Sequence, residues 1–195
     1  MAALLLKGPS SMDFNVRNDR GFSLAELMLT LAVLGTLVGV GLPVMKDLSE
    51  SIKLNEASRM VERELQTARL QSVSKNRVLR VRLNCPAAGY IRTVEVTGSA
   101  TIDDAADRCM GARFPFPAPD TDLLTEPNFD GPVHVLPNDA AVSSLILQFS
   151  PDGTAASVAA GIVSEIAIPL AVNISRHGKT RTVTVNNVGK VQLQQ

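Results

Sequence analysis

Few residues in this chain are of the kinds that make or break bonds. Its 195 residues include two histidines, His134 and His177, with no metal-ligand spacing between them. No Ser-His-Asp set, P-loop or glycine-rich nucleotide fingerprint is present. The residues therefore predict no enzyme and no cofactor. Asp103, Asp104 and Asp107 form a dense carboxylate group, but the EF-hand spacing and its closing glutamate are missing, so a solvated loop is expected there and no metal. Cys85 and Cys109 are either two free thiols or, in an oxidising compartment, a disulfide. Such a bridge would close a loop of about 25 residues and contribute roughly 3 kcal/mol on the entropic account. One carboxylate stands out by its place. Glu26 follows Gly21-Phe22-Ser23-Leu24-Ala25, and from Leu27 to Met45 the next 19 residues carry no charge. An ionisable group at the edge of a hydrophobic helix is costly unless something pairs with it.

The element that positions Glu26 is membrane-length. At about 1.5 Å per residue, 19 residues span roughly 28 Å, close to the 30 Å hydrocarbon core of a bilayer. A soluble core helix is rarely apolar on every face. A secretory signal would have a shorter apolar core followed by a small-x-small site. This run instead leads into an amphipathic pattern with no clear processing site, so it is expected to be retained. Gly35, Gly39, Gly41 and Pro43 weaken the helix, at about 1 kcal/mol per glycine and 3 for proline. Gly35-x-x-x-Gly39 fits a close helix-packing motif. Either lipid simply tolerates these residues, or the helix packs tightly or melts locally within a bundle. Lys7, Arg17 and Arg20 precede the span and Lys46, Lys53 and Arg59 follow it, so charge alone does not orient it.

Beyond Pro43, Leu54, Ala57, Val61, Leu65 and Ala68 recur at spacings of three and four, with Glu56, Arg59, Glu62, Arg63 and Arg69 on the other faces. One helix is predicted from Phe22 to about Lys75, with a stripe that must bury against a sheet. Alternation then predicts strands at Leu79–Leu83 and Tyr90–Thr97, a hairpin across Cys85-Pro86-Ala87-Ala88-Gly89. Residues 98–132 read as loop. Short strands are expected at His134–Leu136 and Leu145–Phe149, the latter closed by the turn Ser150-Pro151-Asp152-Gly153. Ile166–Ile174 is interrupted by Pro169 and is expected at an edge. Arg176-His177-Gly178-Lys179 is a turn into Thr180–Val185, and the last strand begins at Val188. Charge is balanced, 19 basic against 19 acidic residues, but unevenly spread. Residues 53–92 hold nine Lys or Arg against three Glu, and 95–139 hold nine acids against two Arg. A basic face and an acidic patch on one domain are therefore expected, or simply solvated surface charge.

Arg20-Gly21-Phe22-Ser23-Leu24-Ala25-Glu26-Leu27 resembles the prepilin-peptidase site of type IV pilins and type II secretion pseudopilins. The resemblance implies cleavage after Gly21 on the cytoplasmic face and N-methylation of the new terminus, Phe22. Glu26 falls at the acidic position of that motif and Pro43 at a common helix proline. Ser23 and Ala25 depart mildly from the usual threonine and isoleucine. In a filament, Glu26 of one subunit would neutralise the Phe22 amine of a neighbour, a pair whose members are costly to leave alone. Removing residues 1–21 takes away three basic and two acidic residues, leaving 174 residues with 16 basic against 17 acidic. The leader is long and opens on the apolar stretch Ala2–Leu6; Met12 is a second candidate start, with a ten-residue leader.

Two further stretches narrow the resemblance. Glu62 to Arg77 (ERELQTARLQSVSKNR), then Phe149-Ser150-Pro151-Asp152-Gly153-Thr154 and Val188-Gly189-Lys190-Val191, resemble the GspH/FimT family of type IV minor pilins and type II secretion pseudopilins. The resemblance covers 20–83 and 145–193, and residues 98–140 do not match. It implies an α+β, type IV pilin-like fold: a long N-terminal helix, half membrane-spanning and half amphipathic, packed on an antiparallel β-sheet domain. The expected divisions are a leader at 1–21, a transmembrane and assembly helix at 22–45, its amphipathic continuation at 46–76 and a periplasmic β-rich domain at 77–195. It further implies a structural subunit of a pilus or pseudopilus, at or near the tip. Its expected partners are prepilin peptidase, other pilins or pseudopilins, and the inner membrane before assembly. The alternative is a DNA-binding minor pilin acting in DNA uptake. Arg176, Lys179, Arg181 and Lys190 would then neutralise phosphates. The second basic residue expected after Gly189-Lys190 is Gln192, and no aromatic interleaves the cluster for stacking.

Overall fold

The structure is a computed structural model that describes residues 21–117 and 127–194. Residues 1–20 of the leader, Met12 among them, lie outside the described residues, as does part of the unmatched middle segment. The chain divides into two units, Met1–Val44 and Met45–Gln195, and helix α1 (Leu24–Lys75) contributes to both.

In the first unit α1 begins where its cap allows. The Ser23 hydroxyl accepts from the Glu26 amide at 3.2 Å and the Ser23 carbonyl from the Leu27 amide at 3.1 Å. Ser23 is thus an N-cap satisfying an otherwise orphan donor. Among the described side chains the helix here is exposed on all sides, and it is long and apolar enough to cross a bilayer. The Thr30 and Thr36 hydroxyls each donate 2.8 Å bonds to the Leu27 and Val33 carbonyls. Polar groups satisfied within the helix are what a hydrocarbon environment demands.

In the second unit the predicted stripe is the core. Leu54, Ala57, Val61, Leu65 and Ala68 are buried together with Val81, Leu147, Phe149, Val172, Ile174, Val183 and Val185. α1 stops at Asn76, whose φ of +52° permits the Schellman pair of bonds, Arg77 amide to Ser72 carbonyl and Asn76 amide to Val73 carbonyl. The strands are β1 (Leu79–Leu83), β2 (Tyr90–Glu95), β3 (Val133–Val135), β4 (Ala141–Val142), β5 (Ile146–Phe149), β6 (Ala155–Ala159), β7 (Ile162–Glu165), β8 (Leu170–Arg176), β9 (Lys179–Val185) and β10 (Val191–Leu193). They form two antiparallel sheets, ordered β3-β2-β1-β5-β6-β7 and β10-β9-β8-β4. Pairing Val81 with Thr93 and Leu147, and Val172 with Val183, turns the apolar set of each sheet toward the helix stripe. The architecture is the expected long helix with antiparallel sheet.

Several details differ from expectation. Pro169 does not make an edge strand: it sits one residue before β8, which pairs with both β9 and β4. Proline at a strand's threshold forfeits no ladder bond. β4, β6 and β7 go unanticipated because Ala141-Val142 is too short to show a period and Ala155–Ala159 is rich in alanine, a weak strand former. The β6–β7 turn uses Ala160 and Gly161, both at positive φ, and the β8–β9 turn uses His177 and Gly178 likewise. Both are hairpin turns whose twist suits the flanking strands. The loop-like 98–132 segment contains a short helix, α2 (Ala100–Asp103). The last strand begins at Val191, three residues later than expected, because Asn186 holds residues 186–190 as a turn. Its carbonyl accepts from the Gly189 amide and its side chain from the Lys190 amide.

Candidate functional site

The chemistry of the N-terminal segment is set by its first turn. Gly21 and Phe22 precede the helix, and Phe22 is 79% exposed, so the peptide bond between them lies outside regular structure and beside an exposed side chain. Ser23 at the cap and Glu26 three residues on have the S-x-x-E spacing of a capping box. Glu26 lies exposed in the first helical turn, where the helix dipole favours a negative charge. The geometry thus offers a carboxylate that faces outward, next to a backbone site whose cleavage would leave an amine.

The second unit holds no comparable reactive group among its described residues, but its charges are ordered. Cys85 and Cys109 are joined as a disulfide, with Cα atoms 5.6 Å apart. This links the β1–β2 hairpin to the segment after α2. Arg108, next to Cys109, is fully buried. Its guanidinium chelates Asp130 and donates at 2.9 Å to the Glu95 carbonyl, and it stacks 4.4 Å from the centre of the Phe114 ring. Arg92 reaches Asp130 at 3.8 Å, and Arg80 and Arg82 reach Asp104 at 3.2 and 3.9 Å. Burial lowers the proton affinity of Arg92; Asp130 opposes this and Arg108 adds to it. Burial does the same to Arg82, reinforced by Arg80 and opposed by Asp104. The expected basic face and acidic patch are in this region one structure, in which strand arginines are neutralised by the segment folded over them.

The three aspartates of that segment do not share a site. Asp103 is buried rather than solvated and accepts from the Thr97 and Gly98 amides, each at 2.8 Å. Asp104 takes Arg80, and Asp107 takes Arg113 at 2.8 Å. His134 lies 3.6 Å from Glu64 and His177 3.8 Å from Glu50.

Arg69 lies off the apolar stripe, as its spacing predicts, and its side chain reaches two distant turns. Its Nε donates to the Gly153 carbonyl at 3.0 Å and its Nη2 to the Val188 carbonyl at 3.1 Å. The two distant stretches that carry the family resemblance, 149–154 and 188–191, therefore meet on one guanidinium from the third. Nothing in helical periodicity could show this, because the signal is a pair of turns rather than a stripe. Beside it, the Asp152 carboxyl is held below the usual range by the hydroxyl and amide of Thr154.

The four candidate DNA contacts are not one cluster. Arg176 ion-pairs with Glu50, and Lys179 bonds to the Asp47 carbonyl and Ser51 hydroxyl, each at 3.1 Å. Arg181 lines a groove with Lys179. Lys190 follows the opposite end of β9, beside Gly189 and Arg69.

The first unit is thus a capped apolar helix with an acidic first turn, and the second an antiparallel two-sheet domain packed on the stripe of the same helix. Residues 16–42 match the family described as prokaryotic N-terminal methylation motif. The chain is similar to the pilin-like protein PilA1 of Thermus thermophilus, 24% identical over 176 residues that cover 90% of this chain and 98% of that protein. It is also similar to crystal structures of the Pseudomonas aeruginosa type IV minor pilin FimU. In one crystal form the identity is 14%, covering 76% of this chain and 92% of the other, with a TM-score of 0.46. In a second form the coverage is 72% and 92% and the TM-score 0.42.

Proposed function

We propose that this chain is a minor pilin or pseudopilin, a structural subunit and not an enzyme. Prepilin peptidase cleaves it after Gly21 and methylates Phe22. Residues 22–45 hold it in the inner membrane with the β-rich domain on the periplasmic side. It is then drawn into a type IV pilus or type II secretion pseudopilus, at or near the tip. The observation that carries this reading is the arrangement at 21–26: a Gly21-Phe22 bond ahead of the helix, a Ser23 cap and a first-turn Glu26 before an uncharged span. The methylation-motif match over 16–42 and the similarity to a pilin-like protein over 90% of this chain support it.

Mass spectrometry after co-expression with a prepilin peptidase tests it. The mature chain should begin at Phe22 and carry one added methyl group, and Gly21→Val should remain full length. A mature chain that begins beyond Met45 would instead mark the segment as an ordinary secretory signal.

A further inference from the structure

The geometry points to the β8–β9 turn, with the first turns of α1 beyond Val44, as a binding ledge for anionic phospholipid headgroups. This rests on the reading of residues 22–45 as membrane-embedded. On that reading the hydrocarbon core ends near Met45. Asp47 and Ser51 follow Met45 by only two and six residues in sequence, a reach of no more than a headgroup layer and its margin. The turn is fastened to these residues. Lys179 reaches the Asp47 carbonyl, the Asp47 carboxylate at 3.4 Å and the Ser51 hydroxyl, Arg176 pairs with Glu50, and the His177 ring is 67% exposed.

The charge suits an anionic surface. Segments 46–53 and 176–181 bring together Lys46, Lys53, Arg176, Lys179 and Arg181 against Asp47 and Glu50, an excess of three cations. A groove of about 400 Å³ opens beside the turn, lined in part by Ser51, Lys179, Thr180, Arg181 and Thr182. Its described lining residues supply two cations and three hydroxyls and no carboxylate, a donor set for phosphate oxygens. Nucleic acid suits the ledge less well. β9 separates it from Lys190 by seven residues, roughly 20 Å of strand, and no aromatic ring is among the groove's described lining residues for base stacking.

The test uses the full-length chain in nanodiscs of phosphatidylcholine alone and of phosphatidylcholine with phosphatidylglycerol, read by amide hydrogen exchange. Each cation at an anionic bilayer surface strengthens attraction about fivefold. Exchange at residues 176–182 should therefore slow at least threefold in the phosphatidylglycerol discs. The effect should vanish in 1 M salt, where screening acts within about 3 Å, and in the double variant Lys46→Gln/Arg181→Gln. The salt titration needs only the unaltered chain, so a folding defect in the variant leaves the test standing. Equal exchange in both discs, with the chain retained in both, overturns the ledge and leaves the anchor intact. Failure to be retained in either disc overturns the anchor and the ledge together. Slowing by duplex DNA in detergent micelles, without slowing by phosphatidylglycerol, overturns the lipid assignment in favour of nucleic acid.

Discussion

At the scale of single residues, the two C-terminal motifs are explained by one close approach. A Cβ on Gly189 would fall on the Gly153 carbonyl oxygen and 2.6 Å from Arg69 Nε, and the residue has φ +70°. Gly178 has a similar φ of +77° but nothing within 4 Å of a Cβ. The two glycines therefore separate backbone strain from packing. Gly178→Ala should cost about 1–2 kcal/mol, the left-handed penalty alone. Gly189→Ala should cost that plus about 1–3 kcal/mol of overpacking. Thermal unfolding of the two variants in detergent, followed by circular dichroism, checks the order; equal losses would show that Arg69 and the turns give way freely. Asp130 poses a different problem. Two buried guanidinium groups depend on it, so Asp130→Asn should destabilise by about 3–5 kcal/mol, the range for breaking a buried ion pair. The same melts measure this.

At the scale of elements, the disulfide holds the segment that supplies Arg108 and, through Asp103 and Asp104, neutralises β1. The double variant Cys85→Ser/Cys109→Ser should lose about 3 kcal/mol on the loop-entropy account. It should also raise hydrogen exchange at residues 97–116 before the rest of the domain; uniform exchange across the domain would deny that segment a separate dependence. Local pattern made α1, β1, β2, β5 and β9 legible, because each has an apolar period matched to one buried face. The Leu54-to-Ala68 stripe was readable to the residue. Elements whose existence depends on partners were not legible. β6 is alanine-rich and is a strand because β5 and β7 flank it, and α2 is one turn whose Asp103 is fixed by Thr97 and Gly98 amides. The candidate site divides in the same way. Gly21, Phe22 and Glu26 lie within six residues, so their spacing is legible in the sequence. Arg69 acts on carbonyls 84 and 119 residues away, and no local pattern encodes that meeting.

At the scale of the whole molecule, the proposed function requires one segment to be stable in two surroundings, lipid first and a filament afterwards. Glu26 is where the two demands differ, and on that reading it has two separable roles. With Ser23 it has capping-box spacing, which glutamine can also fill. Its negative charge is what would recognise the amine of a neighbouring Phe22, which glutamine cannot do. Glu26→Gln should therefore keep the helix start, membrane insertion and cleavage after Gly21, and fail to enter filaments. Glu26→Ala should behave the same way in assembly while fraying the first turn slightly, a cap-region loss of about 1 kcal/mol or less. Fractionation of cells into membrane and sheared-filament pools, with mass spectrometry of the membrane pool, measures both steps. Normal incorporation of Glu26→Gln would reduce Glu26 to a helix cap and remove charge pairing as the device that makes assembly specific.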